Sequence, residues 1–412
     1  MDNSVVAIIL AGGRGKRMDL LCHVRPKPVL PFAGKLHVID FSLSNCINSQ
    51  IQDVAVLVDY QREYMARYLR KWARDNVNLS EITILQPKIG SYAGTANAVY
   101  QNLSFLNTST ADQVLILAGD HVYRMDYRKM LAFHEKTRAA VTVGVVKIPI
   151  EEAYRFGTVL VDSENKILEF REKLSQPLST LASMGIYIFN KDVLIDYLSE
   201  DAGVQNSSHD FGYSILPSVV KSEKVMAFEF TGYWQDIGTV AAYFLSNMEL
   251  LGSHPRFSLD GRWPVMSDRK ALPIPEKSQD GKIVNSIISP GCVIQGLVEN
   301  SVLSPGVYVE EQATVRNSVV MSNTRIGYHS VIEQSILDEG VQLAKFCYIG
   351  FGESLMQSDS EITVLGKNVV VHEATGIGRN CKIFPRVNLS NYKGILIPSG
   401  TTVRSGAINV HT

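Results

Sequence analysis

The chain has 412 residues, of which 45% are apolar and 20% charged, with 40 lysines and arginines against 41 aspartates and glutamates. This composition excludes a disordered chain, and the length favours two folded units over one undivided core. A formal net charge of −1 argues against a nucleic-acid partner, while leaving room for a local basic pocket. No apolar stretch approaches the roughly 20 residues of a membrane span, and the N-terminus lacks a secretory pattern. Cysteines 22, 46, 292, 347 and 381 are odd in number and widely spaced. They suit neither a disulfide scaffold nor a compact zinc motif, and point to reduced, structural thiols in a cytoplasmic protein.

In chain order, the apolar run Val5–Leu10 predicts a core strand that enters a glycine-rich basic turn, Gly12-Gly13-Arg14-Gly15-Lys16-Arg17. The turn has neither the GxGxxG spacing of a dinucleotide fingerprint nor the order of a Walker A loop. Its backbone N–H groups, with Arg14 and Arg17, can instead wrap a nucleoside triphosphate. Arg25 and Lys27 follow closely, and Lys27 can reach another part of the phosphate. The plain alternative is a structural loop with Lys16 facing solvent. Strands are then expected at Asp53–Val58, Ile82–Leu85, Gln113–Ala118 and Val141–Ile148, with helices at Tyr60–Ala73 and Asp126–Lys136. Such alternation predicts an α/β domain with a Rossmann-like, mixed and mostly parallel sheet. Ligands should then sit beyond the carboxyl ends of its strands.

Asp120 follows the fourth strand and Gly119, so its carboxylate can emerge at the sheet edge. It can cap a turn, or hold Mg2+ together with the distant Asp236 while triphosphate oxygens and water complete the octahedron. His121 reads as a supporting residue, because a sugar phosphate is already an oxygen nucleophile near neutral pH. Lys173 can compensate a monoester phosphate, Glu172 and Asp210 can accept sugar hydroxyls, and Ser183 adds a polar contact. Tyr187 and Trp234 can bound an apolar sugar face or pack in the core.

Beyond a connection at 251–280 the pattern changes. Asn285-Ser286, Asn300-Ser301, Asn317-Ser318 and Gln334-Ser335 each precede two apolar residues, with the serines 15, 17 and 17 residues apart. Val293, Val298, Val307, Val315, Ile326, Val331 and Val341 recur at steps near five or six. Three short strands per coil would stack these positions into one interior, a parallel β-helix with Gly291, Gly306, Gly327 and Gly340 at its corners. An irregular β-sandwich is the alternative.

The ordered set AGGRGKR (11–17), RPKPVLPFAGK (25–35), IDFSLSNCINS (39–49), GTANAV (94–99), GDHVYRMDY (119–127), FREK (170–173), SMGIYIF (183–189), HDFG (209–212) and GYWQDIGT (232–239) resembles the bacterial glucose-1-phosphate adenylyltransferases, within the sugar-phosphate nucleotidyltransferases. The resemblance covers nearly the whole chain. It implies a nucleotidyltransferase domain over 1–250 and a left-handed parallel β-helix over 281–412 for assembly and regulation. It also implies transfer of AMP from ATP to glucose 1-phosphate, giving ADP-glucose for glycogen synthesis and pyrophosphate, in an allosteric homotetramer with a small anionic effector.

By the same resemblance, Gly12, Gly13, Arg14, Gly15, Arg17, Lys27, Gln86, Gly94 and Thr95 would meet the nucleotide. Glu172, Lys173, Ser183, Asp210, Phe211 and Trp234 would meet the sugar phosphate, with Tyr92 nearby, and Asp120 and Asp236 would organise Mg2+. Departures from the family pattern fall at Asn97, Ser91, Pro26, Val24 and Leu174. Three alternatives stay open: a different nucleotide and sugar such as UTP with glucosamine 1-phosphate, a catalytically weak regulatory subunit, and an acyltransferase prompted by the repeats. The last lacks a convincing catalytic histidine.

Overall fold

A computed structural model describes residues 5–76, 81–177, 179–259, 261–267, 276–277, 281–352, 361–389, 395–404 and 407–409. Of the expected 251–280 connection, residues 260, 268–275 and 278–280 lie outside them. The chain forms two compact units: Met1–Gly13, Ile39–Trp234 and Arg262–Asp268 in the first, and Arg14–Val38, Gln235–Gly261 and Arg269–Thr412 in the second.

The first unit is built on a mixed sheet of nine strands among the described residues. Val5–Leu10 lies at its heart, parallel to Asp53–Leu57 on one side and to Gln113–Ala118 on the other, with Ala7 opposite both Val54 and Leu115. Glu81–Leu85 extends the parallel edge. All five expected strands form, with ends within one residue. The expected helices form as Arg62–Asp75 and Tyr127–Thr137, the latter capped by Asp126, whose carboxylate accepts the Arg128 N–H at 3.1 Å.

Four strands had no counterpart in the periodicity: Gly157–Val161, Ile167–Glu172, Leu181–Asn190 and Val225–Glu229. The ten-residue Leu181–Asn190 runs antiparallel to Gln113–Ala118, to Val141–Lys147 and, at one pair, to Gly157–Val161. The parallel core is thereby joined to an antiparallel flank that carries Glu172 and Ser183. Because Val5–Leu10 and Gln113–Ala118 are parallel neighbours, Gly12 and Gly119-Asp120 leave the sheet at the same edge. There the Gly119 N–H bonds to Leu10 O at 3.0 Å.

The second unit contains three parallel sheets of short strands, a β-helix. Each sheet contributes a column to the common core: Ile294, Val309, Ile326, Leu343 and Val371 in the first, and Val298, Val315, Ile332, Ile349, Ile377 and Ile397 in the second. Leu303, Val320, Leu337, Leu365, Ile383 and Val403 form the third. Identical register from coil to coil puts apolar side chains directly over one another, which is how a chain of two- and three-residue strands acquires a continuous core. Val293 and Val331, expected inside, are only partly buried. The pleat alternates sides, so their neighbours Ile294 and Ile332 point inward instead.

The Asn-Ser repeats are corners. Asn285, Asn300, Asn317 and Gln334 all have φ between 44° and 46°, a left-handed turn that asparagine tolerates. The Ser286, Ser301 and Ser318 hydroxyls each accept the N–H of the serine one coil on, at 3.1, 3.1 and 3.2 Å. Gly291, Gly306 and Gly340 occupy corners with φ of 71–75°. Gly327 serves a different need, since a Cβ there would lie 2.6 Å from the Ala344 carbonyl carbon.

Segment 14–38 packs within this second unit. Arg25 is wholly buried and donates to Asp338 at 2.7 Å, with Glu339 at 3.4 Å and Lys367 closing on Glu339 at 2.7 Å. Lys382 meets Asp19 at 2.8 Å, and the Tyr243 hydroxyl donates to Pro31 O at 2.6 Å. Burial pushes the Asp338 carboxyl above the usual carboxylate range, and the Arg25 guanidinium pulls against that shift.

Removing the guanidinium should therefore cost more than removing the pair. Arg25→Ala is expected to destabilise the second unit by about 3–5 kcal/mol, and the double variant Arg25→Met/Asp338→Leu by clearly less. Denaturation midpoints of the full chain compare the two; equal losses would mean that the pair carries no coupled charge.

Candidate active site

In the first unit, two of the expected residues, Gly12 and Tyr92, meet at the opening turn. Gly12 is closely overlaid: a Cβ there would lie 3.3 Å from Asp59 Cβ and 3.5 Å from the Tyr92 ring. Gly13 is exposed, and a Cβ there would touch nothing within 4 Å. Tyr92 is fixed at both ends. Its N–H donates to the Asp59 carboxylate at 3.2 Å, and its hydroxyl accepts from Asn102 at 3.0 Å. Burial pushes the phenol up to about 12, so it stays neutral. Arg62 joins Asp59 at 2.9 Å to Gly90 O at 2.7 Å, which ties down the loop that carries Tyr92.

The departures at 91 and 97 acquire a local meaning. The Asn97 side-chain oxygen accepts from Ala93 N–H at 3.1 Å and from the Gln101 amide at 2.8 Å, folding the loop onto the helix Thr95–Tyr100. Ser91 is exposed. Gln86 lines a cleft of about 740 Å³ with Gln61, Arg62, Arg67 and Arg70.

The second group gathers around Gly212. The Asp210 carboxylate accepts N–H groups from Gly212 at 2.9 Å and Tyr213 at 3.3 Å, and the Thr95 hydroxyl at 2.7 Å. Thr95 in turn accepts the Phe211 N–H at 3.0 Å. Glu172 fits where two glycines make room, because a Cβ on either Gly157 or Gly212 would lie 2.4 Å from its Oε2. Lys173 has φ 49° and turns its ammonium back to Glu172 at 2.9 Å and over the Tyr213 ring at 5.8 Å. Burial opposes its charge, but the bonded Glu172 carboxylate prevails and raises the ammonium above the ordinary lysine value. Lys173 therefore remains cationic at neutral pH.

Ser183 is buried, 3.4 Å from the Tyr187 hydroxyl. Phe211 is 2% exposed and packs against Tyr187 and Phe189, so its ring is core and its N–H is the part that faces Thr95. Trp234 packs edge-on to His121 and Phe156, with its indole nitrogen 3.3 Å from His121 Nδ1. His121 Nε2 lies 3.6 Å from Asp120, whose carboxylate is 32% exposed.

In the second unit, Gly15 has φ 62° and lies 3.0 Å by its would-be Cβ from both Cys22 Sγ and Lys27 Cβ, so the turn tolerates no side chain there. Lys27 pairs with Asp236 at 3.2 Å, both nearly buried. A Cβ on Gly238 would lie 2.7 Å from that carboxylate and 3.2 Å from Arg17, so two cations and one acid converge at this glycine. Arg14 is exposed. Asp59, Arg62, Asn102 and Gly157 were missed by the sequence reading; their roles are contacts with no motif of their own.

Two families match the chain. The nucleotidyl transferase family covers residues 6–253, and the GlmU-like C-terminal hexapeptide family covers residues 272–371. Among curated relatives, the glucose-1-phosphate adenylyltransferase of Acetivibrio thermocellus is 41% identical over 98% of each chain. That of Fervidobacterium nodosum is 40% identical over 98% of this chain and 99% of its own. That of Thermomicrobium roseum is 39% identical over 97% and 98%. With residues 6–253 matching the nucleotidyl transferase family and 98% of its length aligned to two of these enzymes, the chain belongs to the glucose-1-phosphate adenylyltransferase family of sugar-phosphate nucleotidyltransferases.

Proposed function

We propose that the protein transfers AMP from ATP to glucose 1-phosphate, forming ADP-glucose for glycogen synthesis and releasing pyrophosphate. The observation that carries the reading is the Thr95–Asp210 hydrogen bond, which makes the nucleotide motif and the sugar motif one hydrogen-bonded body. In the in-line step, an oxygen of the sugar phosphate attacks the α-phosphorus and the bond to the pyrophosphate oxygen breaks. The exposed Gly13 backbone offers an N–H to the triphosphate without a side chain in the way. Lys173, held charged by Glu172, grips the acceptor phosphate, and Glu172 and Asp210 accept sugar hydroxyls. Arg17 and Lys27 stabilise charge on the leaving pyrophosphate.

The donor chemistry of Asp120 and Asp236 suits Mg2+, which prefers carboxylate oxygens and retains much of its shell as phosphate and water. When bound, the ion would neutralise the triphosphate charge during displacement. Assembly as a homotetramer, control by a small anionic effector and a cytoplasmic location belong to the same proposal. The competing substrate pair is UTP with glucosamine 1-phosphate.

A product assay on the purified chain with Mg2+ separates the two. ATP with glucose 1-phosphate is expected to exceed UTP with glucosamine 1-phosphate in kcat/KM by at least about 100-fold, and the opposite ranking would overturn the assignment. Lys173→Gln should raise KM for glucose 1-phosphate roughly 10–100-fold while KM for ATP stays within about twofold. Asp120→Asn should lower kcat at least about 100-fold at an unchanged melting temperature, and near-normal turnover would remove Asp120 from the metal site.

A further inference from the structure

The junction between the two substrate motifs is a main-chain carbonyl. His209 O accepts the N–H groups of Ala96 at 2.9 Å and Asn97 at 3.1 Å, the first free donors of the helix Thr95–Tyr100. Gly94 must be glycine for this approach, since a Cβ there would lie 2.3 Å from the same oxygen and 2.5 Å from Ser208 O. One residue on, Asp210 takes the Thr95 hydroxyl. Gly94-Thr95 on the nucleotide side and Asp210 on the sugar side are thus placed by a single peptide group.

That carbonyl is aimed by a left-handed conformation uncommon for a residue other than glycine, with φ at 51°. Its side chain supplies the restraint. Nδ1 lies 2.8 Å from Asp201 Oδ2, at the end of the helix Lys191–Ala202, and both residues are largely buried. The other Asp201 oxygen accepts the Ser207 hydroxyl. The Ser207 oxygen accepts the His209 N–H at 3.0 Å and lies 2.9 Å from Ser214 Oγ. Ser214 N–H returns to Asp210 O at 2.9 Å. None of these side chains is placed in contact with substrate by the reading above, and all of them hold the turn 207–210.

We propose that Asp201 and His209 form a positioning pair for the nucleotidyl transfer, holding the His209 carbonyl so that the Gly94-Thr95 and Asp210 subsites are set together. The pair rests on the adenylyltransferase reading only in assigning those motifs to the two substrates. Losing the restraint lets the turn relax toward an ordinary φ, which withdraws the carbonyl from the helix and swings Asp210 away from Thr95. Both subsites loosen at once, while the atoms that touch the transferring phosphate are left in place.

The test uses full-length enzyme with whichever nucleotide and sugar phosphate the wild type turns over best, so a wrong substrate assignment leaves it intact. His209→Ala and Asp201→Ala are each expected to raise both KM values by about tenfold while kcat changes by less than about threefold. His209→Asn tolerates the left-handed turn and keeps a donor for Asp201, so it should recover most of the loss. If the alanine variants fold poorly, Asp201→Asn carries the test on the same criterion, because its amide keeps the shape and gives up one of two acceptors. The proposal is overturned if only one KM moves, if kcat falls with both KM values unchanged, or if His209→Asn is no better than His209→Ala.

Discussion

Everything at the sheet edge of the first unit depends on how closely two backbones approach at Gly94. The His209 carbonyl satisfies helix N–H groups that water would otherwise hold, and it can do so only because no Cβ intervenes. Once that contact is made, Thr95 has one geometry in which it both donates to Asp210 and accepts from Phe211. A hydroxyl engaged in this way is occupied by the protein. Under the proposed function, Thr95 would therefore contribute to nucleotide binding mainly by fixing the loop around it, and its neighbour Gly94 by making the contact possible.

The second unit solves a different problem. Segment 14–38 carries only short helical turns and a two-stranded ribbon, too little structure to hold charged side chains in one place. The β-helix supplies what is lacking, because its coils repeat in register and present fixed anchor points. Arg25 sinks into that surface against Asp338, and Asp19 and Pro31 are held at either end. A buried guanidinium is an expensive way to attach a loop, and an apolar plug of the same volume would do it at least as tightly. What the ion pair adds is a short charged contact, Arg25 Nη2 to Asp338 Oδ1 at 2.7 Å, which a shift of the segment would break and leave two buried charges apart. Lys27 lies two residues further on, so the register of Arg25 also fixes the point from which Lys27 reaches Asp236.

Much of this was readable in the sequence, for reasons that can be named. Val5–Leu10 and Gln113–Ala118 are continuous apolar runs because both faces of a parallel strand are covered, and the β-helix repeats because each coil must bury the same column. The antiparallel flank was not legible. Ile167–Glu172 alternates only loosely, and Leu181–Asn190 owes its length to pairing with three neighbours along its course. Val293 and Val331 misled because a valine on the outer face of a two-residue strand looks the same in sequence as one on the inner face. In the site, motif residues such as Lys173 and Asp210 could be named in advance. The partners that orient them could not, because Asp59 to Tyr92 and Asp201 to His209 are pairings of folded neighbours and leave no periodic trace.

The glycines of the opening turn illustrate why composition alone misassigns function there. All three permit tight turning, yet only Gly15 adopts a positive φ, and it is the one most enclosed by protein atoms. Gly12 is small because Asp59 and the Tyr92 ring lie over it. Gly13 has neither reason: its φ is ordinary, and a methyl group there would meet open space. A residue free of internal constraint at the carboxyl edge of a core strand is constrained, if at all, by what lies outside the protein. Of the three, Gly13 is therefore the position where, under the proposed function, the absence of a side chain would serve a ligand, while Gly12 and Gly15 shape the turn that presents it.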